Sequence, residues 1–179
     1  MRVFRLVVCV PAAAAVLSVS GCGGSTRPAP RSASFTLPSV AASAALAPAL
    51  YMQVASRSSL FAIRASEIAA ERSANINTRS AAQSIIRDQG GVASQLSFAG
   101  RRLELLPTAA LSPDQSAELD RLRESADFDS DYRRAVRGAL SRAYEAHAAF
   151  ARAGSSPTLI PVARMAAPVT KRNLDSLGR

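Results

Sequence analysis

From Leu50 onward the apolar residues recur at helical spacing. Tyr51, Val54, Phe61, Ala65 and Ile68 fall on one face, and the polar run Ser73 to Asn77 interrupts it. Ala81, Ile85, Val92, Leu96, Ala99 and Leu103 then form a second stripe, with Asp88 and Gln89 beside it, and Pro107 ends that segment. Ser112-Pro113-Asp114-Gln115 is a helix start, with a Ser cap, proline in the first turn and Gln three residues on. The helix it opens is short and ends near Glu124. Phe128, Tyr132, Ala135, Val136, Leu140, Ala143 and Phe150 stack along a long segment from Ser125, which Gly154 closes as a helix C-terminal glycine. Ser156-Pro157 opens a last helix, and Pro161 and Pro168 predict a bend in it. No run shows sustained period-two alternation, so no sheet is expected. The pattern predicts an all-α fold, an antiparallel four-helix bundle with one additional short helix, over residues 49–179. One local conflict stands out. Gly90-Gly91 lies inside the second helix, where each glycine costs about 1 kcal/mol relative to alanine and predicts a kink or soft point.

The N-terminus follows a different pattern. Met1 to Arg5 is short and positively charged, and Leu6 to Val19 is an apolar stretch too short for a comfortable membrane span. It runs into Val19-Ser20-Gly21-Cys22, which resembles a lipobox, the site where bacterial lipoproteins are cut and acylated. The reading is a signal peptide over residues 1–21 and a lipidated Cys22 at the mature N-terminus. The other reading is an ordinary secretory signal with a chance cysteine. Two or more acyl chains would anchor the protein stably, at about 0.8 kcal/mol per buried CH₂. Residue 23 is Gly rather than the Asp that commonly retains lipoproteins in the inner membrane, so an outer-membrane address facing the periplasm is expected. Residues 22–48, with Pro28, Pro30, Pro38 and Pro48 scattered among Ser and Ala, read as a tether.

Composition narrows the chemistry. Alanine supplies 37 of 179 residues and tryptophan none, which favours helices with small side chains and a thin core. Cys9 falls in the leader and Cys22 is consumed by lipid, so neither a disulfide nor a thiol nucleophile is expected. The formal net charge is +9, and without Arg2 and Arg5 it is 20 basic against 13 acidic residues. Such a balance suits an anionic partner. An envelope address makes that partner lipid headgroups, lipopolysaccharide or cell-wall polymer, and nucleic acid is not expected. Arg133, Arg134, Arg137 and Arg142 are the candidate contacts, and a solvated helix face is the alternative for them.

Tyr51, the Ala-rich first helix, Ala81 to Asp88, Phe128-x-x-x-Tyr132, Gly154-x-x-Pro157-x-Leu159 and Pro168 together give the chain a further resemblance. It resembles the bacterial domain-of-unknown-function family numbered 4142 over about residues 50–176, a family labelled as outer-membrane proteins and similar in fold to ferritin-like bundles. The resemblance implies a polar centre built from Asp-His pairs. Here the corresponding positions read Asp88-Gln89, Ala139-Leu140 and Asn173, and a glutamate typical of the first helix falls near Arg64. Asp88, Gln89, Leu140 and Asn173 are therefore degenerate family positions. A ferritin-like metal centre needs carboxylates and Glu-x-x-His pairs from several helices, so no metal and no cofactor is expected.

The sole histidine, His147, falls where the family has an aromatic and reads as a packed ring rather than a base. No catalytic residue is assigned, since no nucleophile–base pair can be drawn. Asp127-Phe128-Asp129-Ser130-Asp131 resembles the start of a calcium loop but has Tyr132 and Gly138 where Gly and Glu are needed, which leaves acids at a helix N-terminus. The expected function is a non-enzymatic envelope lipoprotein, an interaction or stress-related module. The alternative is a ferritin-like metal-binding or redox protein.

Overall fold

The computed structural model describes residues 46–178. They form five helices and, among the described residues, no strand: α1 (Pro48–Arg72), α2 (Ile76–Arg101), α3 (Pro113–Glu124), α4 (Phe128–Ala153) and α5 (Leu159–Ser176). The leader, Cys22 and most of the tether lie outside these residues.

The ends follow local chemistry with three departures from the sequence pattern. Pro48 opens α1, where its missing N–H is no loss, and Asn75 caps α2 by accepting from the amides of Asn77 and Thr78. The Ser112/Gln115 capping box opens α3 as expected. First, α2 stops at Arg101, well before Pro107. The chain folds back so that the Leu105 amide bonds the Gly100 carbonyl at 2.9 Å, with Glu104 at φ 56°. A β-carbon on Gly100 would collide with the Leu105 carbonyl oxygen and lie 2.8 Å from the Met52 methyl, so only glycine fits. Second, Gly154 closes α4 at φ −64°, outside the left-handed region. Glycine is needed there because a β-carbon would sit 2.6 Å from the Phe150 ring. Third, α5 begins at Leu159, because the Ser156 carbonyl takes its first hydrogen bonds from Leu159 and Ile160. Pro161 then falls in the first turn, where it removes no helical bond, and Pro168 is the one proline inside the helix. α2 runs on as helix through Gly90 and Gly91.

α1, α2, α5 and α4 form a ring in which each packs on the next, and α3 lies outside against α1 and α4. Neighbours in the ring are antiparallel. Tyr51 at the start of α1 meets His147 near the end of α4, and Ser66 meets Tyr132 at the opposite end. Ser176 and Leu177 at the end of α5 lie beside Asn77 and Thr78 at the start of α2. The segment containing α3 is thus a crossover that returns the chain along the bundle before α4.

The core is divided in two. At one end Phe61, Ile85, Leu119, Leu122, Phe128, Tyr132, Val136 and Leu140 pack together. At the other, Tyr51, Met52, Val92, Leu96, Phe150 and Leu159 do so, with alanines of α1, α2 and α5 between the larger side chains. The small residues let the helices approach closely, as the alanine content predicts.

Candidate functional site

The boundary between the two apolar clusters is a polar layer at mid-bundle. Ser59 of α1, Gln89 of α2, and Thr170 and Asn173 of α5 are all buried there. Each occupies a core position of its helix, so the layer exists because polar residues interrupt apolar stripes on three helices at one level. Ser59 Oγ donates to Gln89 Oε1 at 2.9 Å, and Gln89 Nε2 donates to Asn173 Oδ1 at 2.9 Å and to Thr170 Oγ1 at 3.4 Å. Asn173 Nδ2 donates in turn to Asp88 Oδ2 at 2.8 Å. Asp88 is half-buried and sits at the outer end of the chain of bonds.

The direction of this chain is fixed from its outer end. An ionised carboxylate only accepts, so Asn173 must present its NH₂ to Asp88 and its carbonyl to Gln89. Gln89 must then present its own NH₂ to Asn173 and its carbonyl to Ser59. Each buried side-chain nitrogen and oxygen of the layer has at least one hydrogen-bond partner, which lowers the penalty for holding polar groups in a core. The layer brings together three of the four degenerate family positions, Asp88, Gln89 and Asn173. Leu140 belongs to the apolar cluster instead and offers the layer no polar atom.

A cation would find oxygen and amide ligands here, but they are already bonded to one another. Among the described residues no three His, Cys, Asp or Glu side chains converge on a point. Neutral amides and hydroxyls are weak ligands for transition metals, and Asp88 is the layer's only carboxylate.

Two further buried pairs flank the layer. Ser66 Oγ and Tyr132 OH lie 2.9 Å apart, and burial pushes the Tyr132 phenol up to about 12. Tyr51 OH lies 3.0 Å from His147 Nδ1, with the rings edge-on at 5.7 Å, and Tyr51 stacks on Phe150 at 4.2 Å. His147 is fully buried and packs as a ring, and Nε2 finds no partner. Desolvation lowers its pKa to about 4, so the imidazole is neutral near pH 7. The Tyr51 phenol is pushed upward by the same cause.

The sequence pattern did not single out Ser59, Thr170, Ser66 or the Tyr51–His147 pair. The legible signal was on α1, where Ser59 and Ser66 stand seven residues apart among alanines of the buried face. Serine among alanines reads equally as a small exposed residue, and only packing decides.

The candidate basic contacts do not share one face. Arg133 reaches Thr78 of α2 at 3.4 Å, Arg137 donates to the Leu177 carbonyl at 2.9 Å, and Arg134 pairs with Asp131 at 2.6 Å. Arg142 lies with Arg134 on the side of α4 that faces α3. Arg134, Arg137 and Arg142 are exposed. The acids of the calcium-like run are engaged locally: Asp129 accepts from Ser73 at 2.6 Å, and Asp131 accepts from Ser125 and from Arg134. Those two hydrogen bonds hold the Asp131 carboxyl below the usual carboxylate range.

No curated protein and no solved structure matches the chain. A family model does match, over residues 35–178, and so takes in all five helices and the whole polar layer. The chain belongs to the family described as a domain of unknown function, DUF4142.

Proposed function

We propose that this protein is a cell-envelope lipoprotein whose bundle is a non-catalytic interaction or stress-related module. Lipid on Cys22 anchors it, at the outer membrane facing the periplasm. The observation that carries the non-catalytic reading is the closed polar layer. Gln89 and Asn173 are spent on each other, on Ser59 and on Asp88, so the middle of the bundle presents no free base, nucleophile or ligand set. No described helix is long and apolar enough to cross a membrane, so on this reading membrane attachment falls to the lipid. The exposed Arg134 and Arg142 on the α3 side of α4, and Arg133 and Arg137 on its other side, are the side chains we assign to anionic lipid or polymer in the envelope.

The anchor is tested by Cys22→Ala. The wild-type protein should partition into the detergent phase of Triton X-114 and carry acyl mass on its N-terminal residue, and the variant should move to the aqueous phase. A wild type without acyl mass would sink the lipoprotein reading.

A second reading, a ferritin-like metal or redox protein, has two observations in its favour. A polar layer crosses the middle of the bundle, and a long crossover joins α2 to α4, a connection that ferritin-like folds use. Stoichiometric metal that resists dialysis and is lost in Asp88→Ala would establish that reading instead.

A further inference from the structure

Among the described residues, the ring of four helices is covered on one side only. α3 covers the α1–α4 side, whereas no described element covers the opposite side, formed by α2 and α5. These two also share the thinnest of the four ring interfaces. Between them runs an open groove of about 480 Å³.

Its walls are apolar along most of their length. Gly91, Val92 and the polar Gln95 of α2 face Pro161, Val162, Met165 and Val169 of α5. Met165 is left 38 % exposed, a flexible and polarizable side chain at the mouth of an apolar trough. From Pro161 to Arg172 the α5 wall spans about 16 Å at 1.5 Å per residue. One end of the groove is cationic, with Arg87 and Arg172 on opposite walls. Neither has a carboxylate partner among the described residues; Arg87 bonds Ser84 and Arg172 bonds the Pro168 carbonyl. Asp88 also lines this end and its Oδ2 accepts from Asn173, so the end carries two guanidinium groups against one carboxylate.

One of the two helix-interior glycines, Gly91, lines this groove. A β-carbon at Gly90 or Gly91 would meet nothing within 4 Å, so no contact inside the bundle calls for glycine. Both nevertheless weaken α2 by about 1 kcal/mol each relative to alanine. The room that a side chain at Gly91 would take is room in the groove.

We infer that this groove binds a single-chain anionic amphiphile, a long-chain fatty carboxylate. The acyl chain lies along Gly91, Val92, Val162, Met165 and Val169, and the carboxylate lies between Arg87 and Arg172. A trough with one cationic end matches a ligand with one anionic end, and guanidinium groups suit a carboxylate in geometry as well as charge. The site is made entirely of bundle residues, so the proposal does not depend on lipid at Cys22.

The test uses the chain from residue 23 onward, which carries neither the leader nor Cys22 and retains every residue of the core. Displacement of a fluorescent undecanoic acid by oleate should be saturable with one site per chain. Gly91→Leu should abolish displacement while leaving the melting temperature unchanged or higher, because leucine favours helix and fills open space. Replacing Arg87 and Arg172 together by Ala should weaken oleate roughly tenfold and leave oleyl alcohol unchanged. Oleate binding that survives Gly91→Leu would overturn the inference, as would equal affinity for oleate and oleyl alcohol in the wild type. So would a concentration-dependent dimer that Gly91→Leu disrupts, which would assign the face to a second copy. Binding to phosphatidylglycerol vesicles without binding of monomeric oleate would also overturn it.

Discussion

Gln89 shows how much one side chain can organise. Its amide hydrogen-bonds both Ser59 on α1 and Asn173 on α5. Truncation to alanine would leave the Asn173 carbonyl without its donor in a site closed to water, and each orphaned buried group costs about 1–3 kcal/mol. Gln89→Ala should therefore lower unfolding free energy by roughly 2–4 kcal/mol, including the small cavity, as read by urea denaturation. A loss of only a few tenths would mean that the layer is not a structural keystone. His147 makes a pH-dependent contribution of definite sign. Its folded pKa of about 4 lies below the ordinary 6.5, so between those values the unfolded chain binds a proton that the folded protein refuses. Stability is unaffected by this residue above pH 6.5 and falls as pH drops toward 4. Melting temperatures of wild type and His147→Phe across that window should diverge, with the wild type falling more steeply. Parallel curves would contradict a buried neutral imidazole.

At the scale of the element, α2 carries glycines of two different kinds. Gly100 is sterically demanded by the Leu105 carbonyl and the Met52 methyl, which close over its α-carbon where the helix ends. Gly90 is surrounded by open space. Gly100→Ala should destabilise the protein by more than about 1 kcal/mol, because backbone rather than a side-chain tip must move. Gly90→Ala should stabilise it by up to about 1 kcal/mol through helix propensity. Thermal denaturation of the two variants in parallel tests the distinction, and shifts of the same sign would refute it. The sequence marked Gly90 as a glycine inside a helix and left Gly100 unremarked in the same segment. The difference comes from a loop five residues downstream and a methionine on another helix, neither of which periodicity can register.

Residues 46–178 form a thin-cored bundle held by alanine-mediated close packing around a polar layer whose side chains bond one another. The chain from residue 23 onward should accordingly give a helix-dominated circular dichroism spectrum in EDTA, with a melting temperature that added zinc or iron does not raise. A spectrum that becomes helical only with metal would reverse the account of the layer.

The sequence by itself determined the helices, because apolar spacing, the Ser112 cap and the prolines are local signals that act within a few residues. It determined the fold class for the same reason, since five amphipathic segments with short links can bury their stripes only against one another. It also marked Asp88, Gln89 and Asn173 as a set, though only by resemblance. Only the tertiary structure decided that these residues meet, that Ser59 and Thr170 complete their hydrogen bonds, and that Leu140 stands aside in the apolar cluster. It alone showed that the basic residues of α4 are spread over different sides, that α2 ends at Gly100 and Arg101, and that no described element covers the side opposite α3. Each of these depends on which helix lies beside which. That choice rests on the summed packing of residues far apart in the chain, and a short-range pattern carries no record of it.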